Sequence, residues 1–140
     1  MKLHQLKQLD EVSLVNQGGV SEQLVGQLLR TIEPEYKEPN LYYCIREQKS
    51  SNAEIDYLIQ HNGNIVPIEV KSGSTGSLKS LHQFMHVKKL SYALRINADI
   101  PSLVDVDVKI HSGERVNYQL CSLPFYLVGQ LHRLLDVNYN

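Results

Sequence analysis

The chain has 140 residues, which bounds it to one domain long enough to bury a core without staples. Its formal net charge is −1, so it has no global attraction for nucleic acid, and DNA binding would have to rest on a local basic patch. With 42% hydrophobic and 21% charged residues the composition is that of an ordinary globular domain, and no apolar run reaches the length of a membrane helix, so no membrane partner is expected. Cys44 and Cys121 lie far apart and lack metal-ligand spacing; with no secretory signal they point to free thiols in a reducing cytoplasm.

Residues 1–16 form a lead-in whose apolar positions (Leu3, Leu6, Leu9, Val12, Leu14 and Val15) fit a short helix followed by an extended piece. The domain proper is read as residues 17–140. Gly18-Gly19 precede a helix in which Leu24, Val25, Leu28, Leu29 and Ile32 make one apolar stripe. Ser21 is a candidate N-cap unless the cap falls earlier, and Pro34 stops the helix. Glu22 then lies in the first turn, where the helix dipole favours a carboxylate. Glu33 to Asn40 is a polar linker with two prolines, Leu41 to Arg46 a β-rich strand, and Glu47 to Asn52 a polar connector.

Ala53 to Ser72 reads as a β-hairpin. The runs Ala53–Gln60 and Asn64–Lys71 both alternate, and Asn62-Gly63 between them is the signature of a type I′ turn, which needs φ > 0 at both central positions. A two-residue turn there pairs His61 with Asn64; beyond it Ile59 faces Val66, Tyr57 faces Ile68 and Ile55 faces Val70, which makes that side apolar. On the other face Asp56 falls opposite Glu69, and Glu54 opposite Lys71. Pro67 occupies a position whose N–H the hairpin does not need.

Ser72 to Ser77 is a small-residue loop. Gly76 is separated from Lys79 by two residues, the wrong spacing for a phosphate-binding P-loop, so ATP binding there is rejected; the loop is a strand-to-helix connection with Ser77 as N-cap. Leu78 to Leu90 is a helix with Leu78, Leu81, Phe84 and Met85 inward. Lys79, Lys88 and Lys89 are either a basic patch or, more commonly for such residues, a solvated face. Ser91 to Ile96 is a buried strand; Asp105–Ile110 and Arg115–Cys121 are two more, joined by a turn at His111–Glu114. Asp105 and Asp107 fit a polar outer face better than a second carboxylate site. Pro124 opens a final helix carrying Phe125, Leu127, Val128, Leu131, Leu134 and Leu135. The six histidines are scattered; only His82 and His86 share i, i+4 spacing, and zinc there would need further ligands. The strand–helix–strand unit after Lys71 requires a right-handed parallel crossover, giving a mixed α/β sheet flanked by helices.

Two carboxylates facing across a ladder have Cβ atoms roughly 4.5–5.5 Å apart and repel. A local salt bridge on a solvated face is the ordinary explanation. A divalent cation is the other, and hard carboxylate oxygens suit Mg²⁺ or Mn²⁺. Asp56 followed by Glu69-Val70-Lys71 on the next strand resembles the core of the PD-(D/E)XK phosphodiesterase superfamily, which has a restriction-endonuclease-like fold. More closely, Glu54–Leu58 through Pro67–Gly73, with Leu81-His82-Gln83-Phe84-Met85 after it, is similar to the uncharacterised C-terminal domain of bacterial and archaeal AAA-type ATPases. The likeness runs from about Gly19 to Leu131.

That resemblance implies a metal-dependent DNA phosphodiesterase. Asp56, Glu69 and the Val70 carbonyl would hold the cation, Lys71 would be catalytic, Glu22 would support the site, and Gln83 would either support it too or be a surface glutamine, the reading slightly favoured. It also implies DNA and an AAA-type ATPase domain or subunit as partners, leaves room for an oligomer, and makes residues 1–16 a truncated edge of a preceding domain. The alternative is a catalytically inactive interaction or DNA-binding module of an ATPase system. A small-molecule hydrolase has no nucleophile–base constellation to support it.

Overall fold

A computed structural model describes residues 18–32, 42–45 (backbone only), 54–74 and 76–138. The readings made for the lead-in, the two polar connectors, Leu41 and Arg46 lie outside the described residues. The elements are a helix over residues 18–31 (α1), β1 Tyr42–Ile45, β2 Glu54–His61, β3 Asn64–Val70, α2 Lys79–Lys88, β4 Tyr92–Asn97, β5 Ser102–Lys109, β6 Arg115–Pro124, a 3-10 segment Phe125–Gln130 and α3 Leu131–Asn138. The strands form one six-stranded sheet in the order β1-β2-β3-β4-β6-β5. The three central strands β3, β4 and β6 run parallel, and antiparallel neighbours flank them on both sides. This is the expected mixed α/β sheet, with α2 supplying the β3–β4 crossover. No described helix is long and apolar enough to cross a membrane.

Each face of the sheet buries its own apolar layer. On one, Val66, Ile68, Val70, Leu94, Ile96, Cys121 and Leu123 meet Val25 and Leu29 of α1 and Leu131 and Leu135 of α3. On the other, Ile55, Ala93, Val116, Tyr118 and Leu120 meet Leu81 and Met85 of α2. Alternation along β3, β4 and β6 sends successive side chains to opposite layers. Glu69, Arg95 and Ser122 therefore share the α2 face.

The hairpin forms in the expected register from His61–Asn64 to Tyr57–Ile68. Asn62 and Gly63 take φ 48° and 81°, the pair of positive values a type I′ turn needs. The β3–β4 ladder starts at Ile68, just past Pro67, so the missing N–H costs neither ladder a bond.

Beyond Tyr57 the expectation fails. Against β1, Leu58 pairs with Tyr42 but Ile55 pairs with Cys44, so β2 spends three steps where β1 spends two. The extra residue is a β-bulge at Asp56-Tyr57, and it inverts the face of everything before it. Ile55, expected beside Tyr57 and Ile59, is instead buried in the α2 layer, while Tyr57 and Ile59 stay in the α1 layer.

Helix boundaries also differ from expectation. α1 is already helical at Gly18, so Ser21 is an internal residue and Glu22 lies beyond the first described turn. α2 starts one residue later than expected: Leu78 is its N-cap with no side-chain cap bond, and the Ser77 hydroxyl lies 3.5 Å from the Lys79 amide. The last helix splits because Phe125, Val128 and Leu131 recur every third residue, the period of a 3-10 turn, before α-helical spacing resumes at α3.

The aspartates of β5 behave as an outer face, with Asp107 paired to Arg115 in the open. Lys79, Lys88 and Lys89 are solvent-exposed. Neither helical histidine is idle: His82 Nδ1 meets the Tyr118 hydroxyl at 2.8 Å, and His86 Nε2 meets Glu114 at 3.1 Å.

A polar contact adds to the apolar packing of α1 on the hairpin. The Tyr57 hydroxyl donates to the Glu22 carbonyl at 2.9 Å, and it passes so close to Gly26 that a Cβ there would lie 2.5 Å from the Tyr57 oxygen. Gly26→Ala should raise helix propensity yet lower stability by roughly 1–3 kcal/mol, because the ring must leave its seat. A chemical denaturation midpoint at or above wild type would show that the Tyr57 contact does not fix α1.

Candidate functional site

The bulge sets the geometry of the acidic group. In an unbroken hairpin the Val70 N–H would bond the Ile55 carbonyl, since hydrogen-bonded pairs alternate from His61–Asn64 onward. With Ile55 rotated away, the Asp56 carboxylate takes that place: Val70 N–H donates to Asp56 Oδ2 at 2.7 Å. Asp56 thus caps the end of β3 with one oxygen. Glu69, the neighbouring β3 residue, is only 6% exposed. Its Oε1 accepts from Lys71 Nζ at 2.5 Å, and its Oε2 is buried with no hydrogen-bond partner among the described residues.

Burial is the first cause pushing the Asp56 and Glu69 carboxyls above their ordinary range. For Asp56 the Val70 N–H and Lys71 oppose it and Glu54 adds to it. For Glu69 the Lys71 hydrogen bond opposes it, while Asp56 and Glu22 add to it. Glu22 on α1 is pushed up as well, by burial, then Asp56, then Glu54. These acids raise one another in a partly desolvated setting, the arrangement in which a bound cation has most to offer.

Lys71 is held from two sides. Its N–H donates to the Ile96 carbonyl at 2.8 Å, extending the β3–β4 ladder by one residue. Its stem runs against Gly76, where a Cβ would lie 2.7 Å from Lys71 Cδ. A glycine in the loop after β3 therefore leaves the channel along which the lysine reaches Glu69.

The structure thus gathers Glu22, Asp56, Glu69, Val70 and Lys71 at one end of the hairpin. Gln83 sits half-buried on α2, and neither Asp56 nor Glu69 takes a hydrogen bond from it. Among the described residues no three His, Cys, Asp or Glu side chains make a ready cage. The donors nevertheless suit Mg²⁺ or Mn²⁺: they are hard carboxylate oxygens, one of them buried and without a hydrogen-bond partner among the described residues.

Several residues around the site were not singled out from sequence. Arg95, Asn97 and Ser122 lie on the same sheet face, and Tyr57 and Gly76 fix its two flanks. Arg95 had a signal of its own, as the only charged residue in the otherwise apolar run from Tyr92 to Ile96.

Two outcomes follow from this geometry. Asp56 titrates above its ordinary range in the folded chain, so its charge opposes folding above the folded pKa, and that penalty fades as pH falls toward the ordinary aspartate range. Asp56→Asn, whose amide oxygen still accepts the Val70 N–H, should therefore raise the melting temperature at pH 7 in metal-free buffer, and the gain should shrink toward pH 4. An Asn variant less stable than wild type at pH 7 would contradict the burial argument. Gly76→Ala should displace the Lys71 side chain with little loss of secondary structure, read as a changed Lys71 Nζ environment in side-chain NMR. An unmoved lysine signal would dismiss the glycine channel.

Compared with known proteins, residues 17–118 match the model of a family described as a domain of unknown function (DUF4143). No curated protein matches the chain. The matched stretch runs from the start of α1 into β6 and contains the whole acidic group, and on that coverage the chain belongs to the DUF4143 family.

Proposed function

We propose that the hairpin carries a metal-dependent phosphodiesterase site acting on DNA, in a domain that works with an AAA-type ATPase. One observation carries the reading: Glu69 buries a carboxylate oxygen without a partner among the described residues, beside a second raised carboxyl and a lysine hydrogen-bonded to its other oxygen. A buried, unsatisfied, like-charged pair costs stability, and a binding role is a reason to keep it.

Asp56 and Glu69, with the Val70 carbonyl, would hold Mg²⁺ or Mn²⁺. A divalent cation bound there supplies Lewis-acid polarisation of a phosphoryl oxygen and a water of lowered pKa. The chain supplies the rest. Val70 N–H keeps one Asp56 oxygen fixed, so that carboxylate cannot swing away. Lys71, released from Glu69, donates to the attacking water or to the charge growing on the phosphate. Glu22, anchored through its own carbonyl by Tyr57, orients a water from the α1 side. The likeness of this hairpin to the PD-(D/E)XK core supports the same assignment, and the ATPase partnership rests alone on the likeness of the longer run, Glu54 through Met85, to the C-terminal domain of AAA-type ATPases.

A second reading is an interaction or DNA-binding module that does not cut. The net charge of −1 favours its interaction form, since nothing global draws a polyanion to this surface. The two separate on incubation of the purified chain with Mg²⁺ or Mn²⁺ and single-stranded, duplex and branched DNA. The expected result is metal-dependent cleavage of at least one substrate, abolished in Glu69→Ala and reduced on the order of 10²-fold or more in Lys71→Ala. Full activity in Lys71→Ala would refute the lysine's role. No cleavage by well-folded wild type would favour the non-cutting module.

A further inference from the structure

Four polar side chains are buried among the described residues: His61, Glu69, Asn97 and Ser122. Three of them share one place. Glu69 is next to last in β3, Asn97 ends β4, and Ser122 lies near the end of β6. All three point to the α2 face at the carboxyl ends of the three parallel strands, where open α/β sheets bind their ligands. The acidic pair is therefore one edge of a polar floor that crosses three strands.

Arg95 lies in the middle of that floor. It is the direct ladder neighbour of Glu69, on the same face. An arginine placed there to neutralise Glu69 would bridge to it. No such ion pair forms: Glu69 takes Lys71 instead, and Arg95 turns the other way, its Nε donating to the fully buried Ser122 hydroxyl at 3.0 Å. No described carboxylate lies within ion-pair distance of the guanidinium. The head group is half-buried, held in place through Nε, and within electrostatic reach of Tyr118, which also senses Glu69. Nε bonding to a buried hydroxyl fixes the guanidinium plane and leaves the two terminal nitrogens as a fork, the geometry that recognises a phosphate bidentately.

We propose that Arg95 binds a second, non-scissile phosphate of a polynucleotide whose backbone crosses the sheet from the hairpin toward β6, with Ser122 as its positioning residue. This rests on the phosphodiesterase reading above, and it adds the path of the substrate. The scissile group lies over Asp56 and Glu69, and the next contact lies over β4 and β6, about one to two strand spacings of 4.8 Å away.

The test uses the full chain as wild type, Arg95→Gln, Arg95→Lys and Ser122→Ala, with two probes. The first is inorganic phosphate, followed at the Arg95 Nε–H resonance. The second is labelled single-stranded and duplex DNA, with affinity measured across a salt series and cleavage in Mg²⁺. The expected result is a phosphate-dependent shift of that resonance. Binding of DNA should weaken roughly tenfold in Arg95→Gln, with a salt slope smaller by about 1. Arg95→Lys should recover the slope but not the full affinity, because lysine has no Nε for Ser122 and no fork. Ser122→Ala should weaken binding without changing the slope.

DNA bound and cut with an unchanged slope in Arg95→Gln would overturn the proposal and leave the phosphodiesterase reading standing. A melting temperature lowered in Arg95→Gln with an unchanged slope would assign Arg95 to structure alone. A phosphate response without any cleavage would keep the Arg95 anion contact and remove the hydrolytic reading. No response to either probe would remove both.

Discussion

The Val70 amide bonded to the Asp56 carboxylate is the contact on which the rest of this site depends. It exists because β2 carries a bulge, and the bulge exists because β1 and the α2 layer claim Ile55 for the opposite face. A strand cannot turn one side chain without releasing a backbone partner, and the amide released here would be buried. Asp56 satisfies it. In doing so the side chain is drawn to the end of β3 and held beside Glu69, where a freely rotating surface aspartate would avoid a second carboxylate. A local defect in a hairpin thus becomes the device that brings two acids together.

The acids stand against the stability of the fold. Glu22, Asp56 and Glu69 are all raised first by burial, and Glu69 keeps one oxygen without a partner among the described residues. The supports around them are correspondingly specific. Tyr57 pins α1 by a single hydroxyl against a glycine, Gly76 leaves a channel for the Lys71 stem, and the β3–β4 ladder runs one residue past β3 to hold Lys71 itself. Lys71 is the cation already in the site, and its bond to Glu69 offsets part of the repulsion. Such a cluster costs stability, the usual compromise where a site is kept for binding, and the proposed cation is what would offset that cost.

The sequence announces the hairpin because all its determinants are local. Asn62-Gly63 sets the turn, and alternation sets the register as far as Tyr57–Ile68. The bulge is not legible, since alternation continues unbroken through Glu54-Ile55-Asp56-Tyr57, and only the competing register of β1 reveals the extra residue. Mixed topology was readable from the crossover after Lys71, because a helix between two apolar strands has one economical path. The cap positions were not: Ser21 and Ser77 have the right chemistry, but helix ends follow tertiary packing. The gathering of Glu22 with Asp56 came from likeness to known domains and not from pattern. The polar floor of Arg95, Asn97 and Ser122 depends on strand order β3-β4-β6, which skips β5 and leaves no trace in local periodicity.

The central claim is that the bulge aims Asp56 and Glu69 at a common divalent cation. Manganese is paramagnetic and broadens amide resonances only near its binding point, so a titration of the ¹⁵N-labelled chain with substoichiometric Mn²⁺ tests the claim without requiring any catalysis. Broadening centred on Asp56, Glu69, Val70 and Lys71, displaced by excess Mg²⁺ and lost in Asp56→Asn, is the result expected here. Diffuse broadening over exposed carboxylates such as Asp105 and Asp136, with the hairpin end untouched, would contradict it.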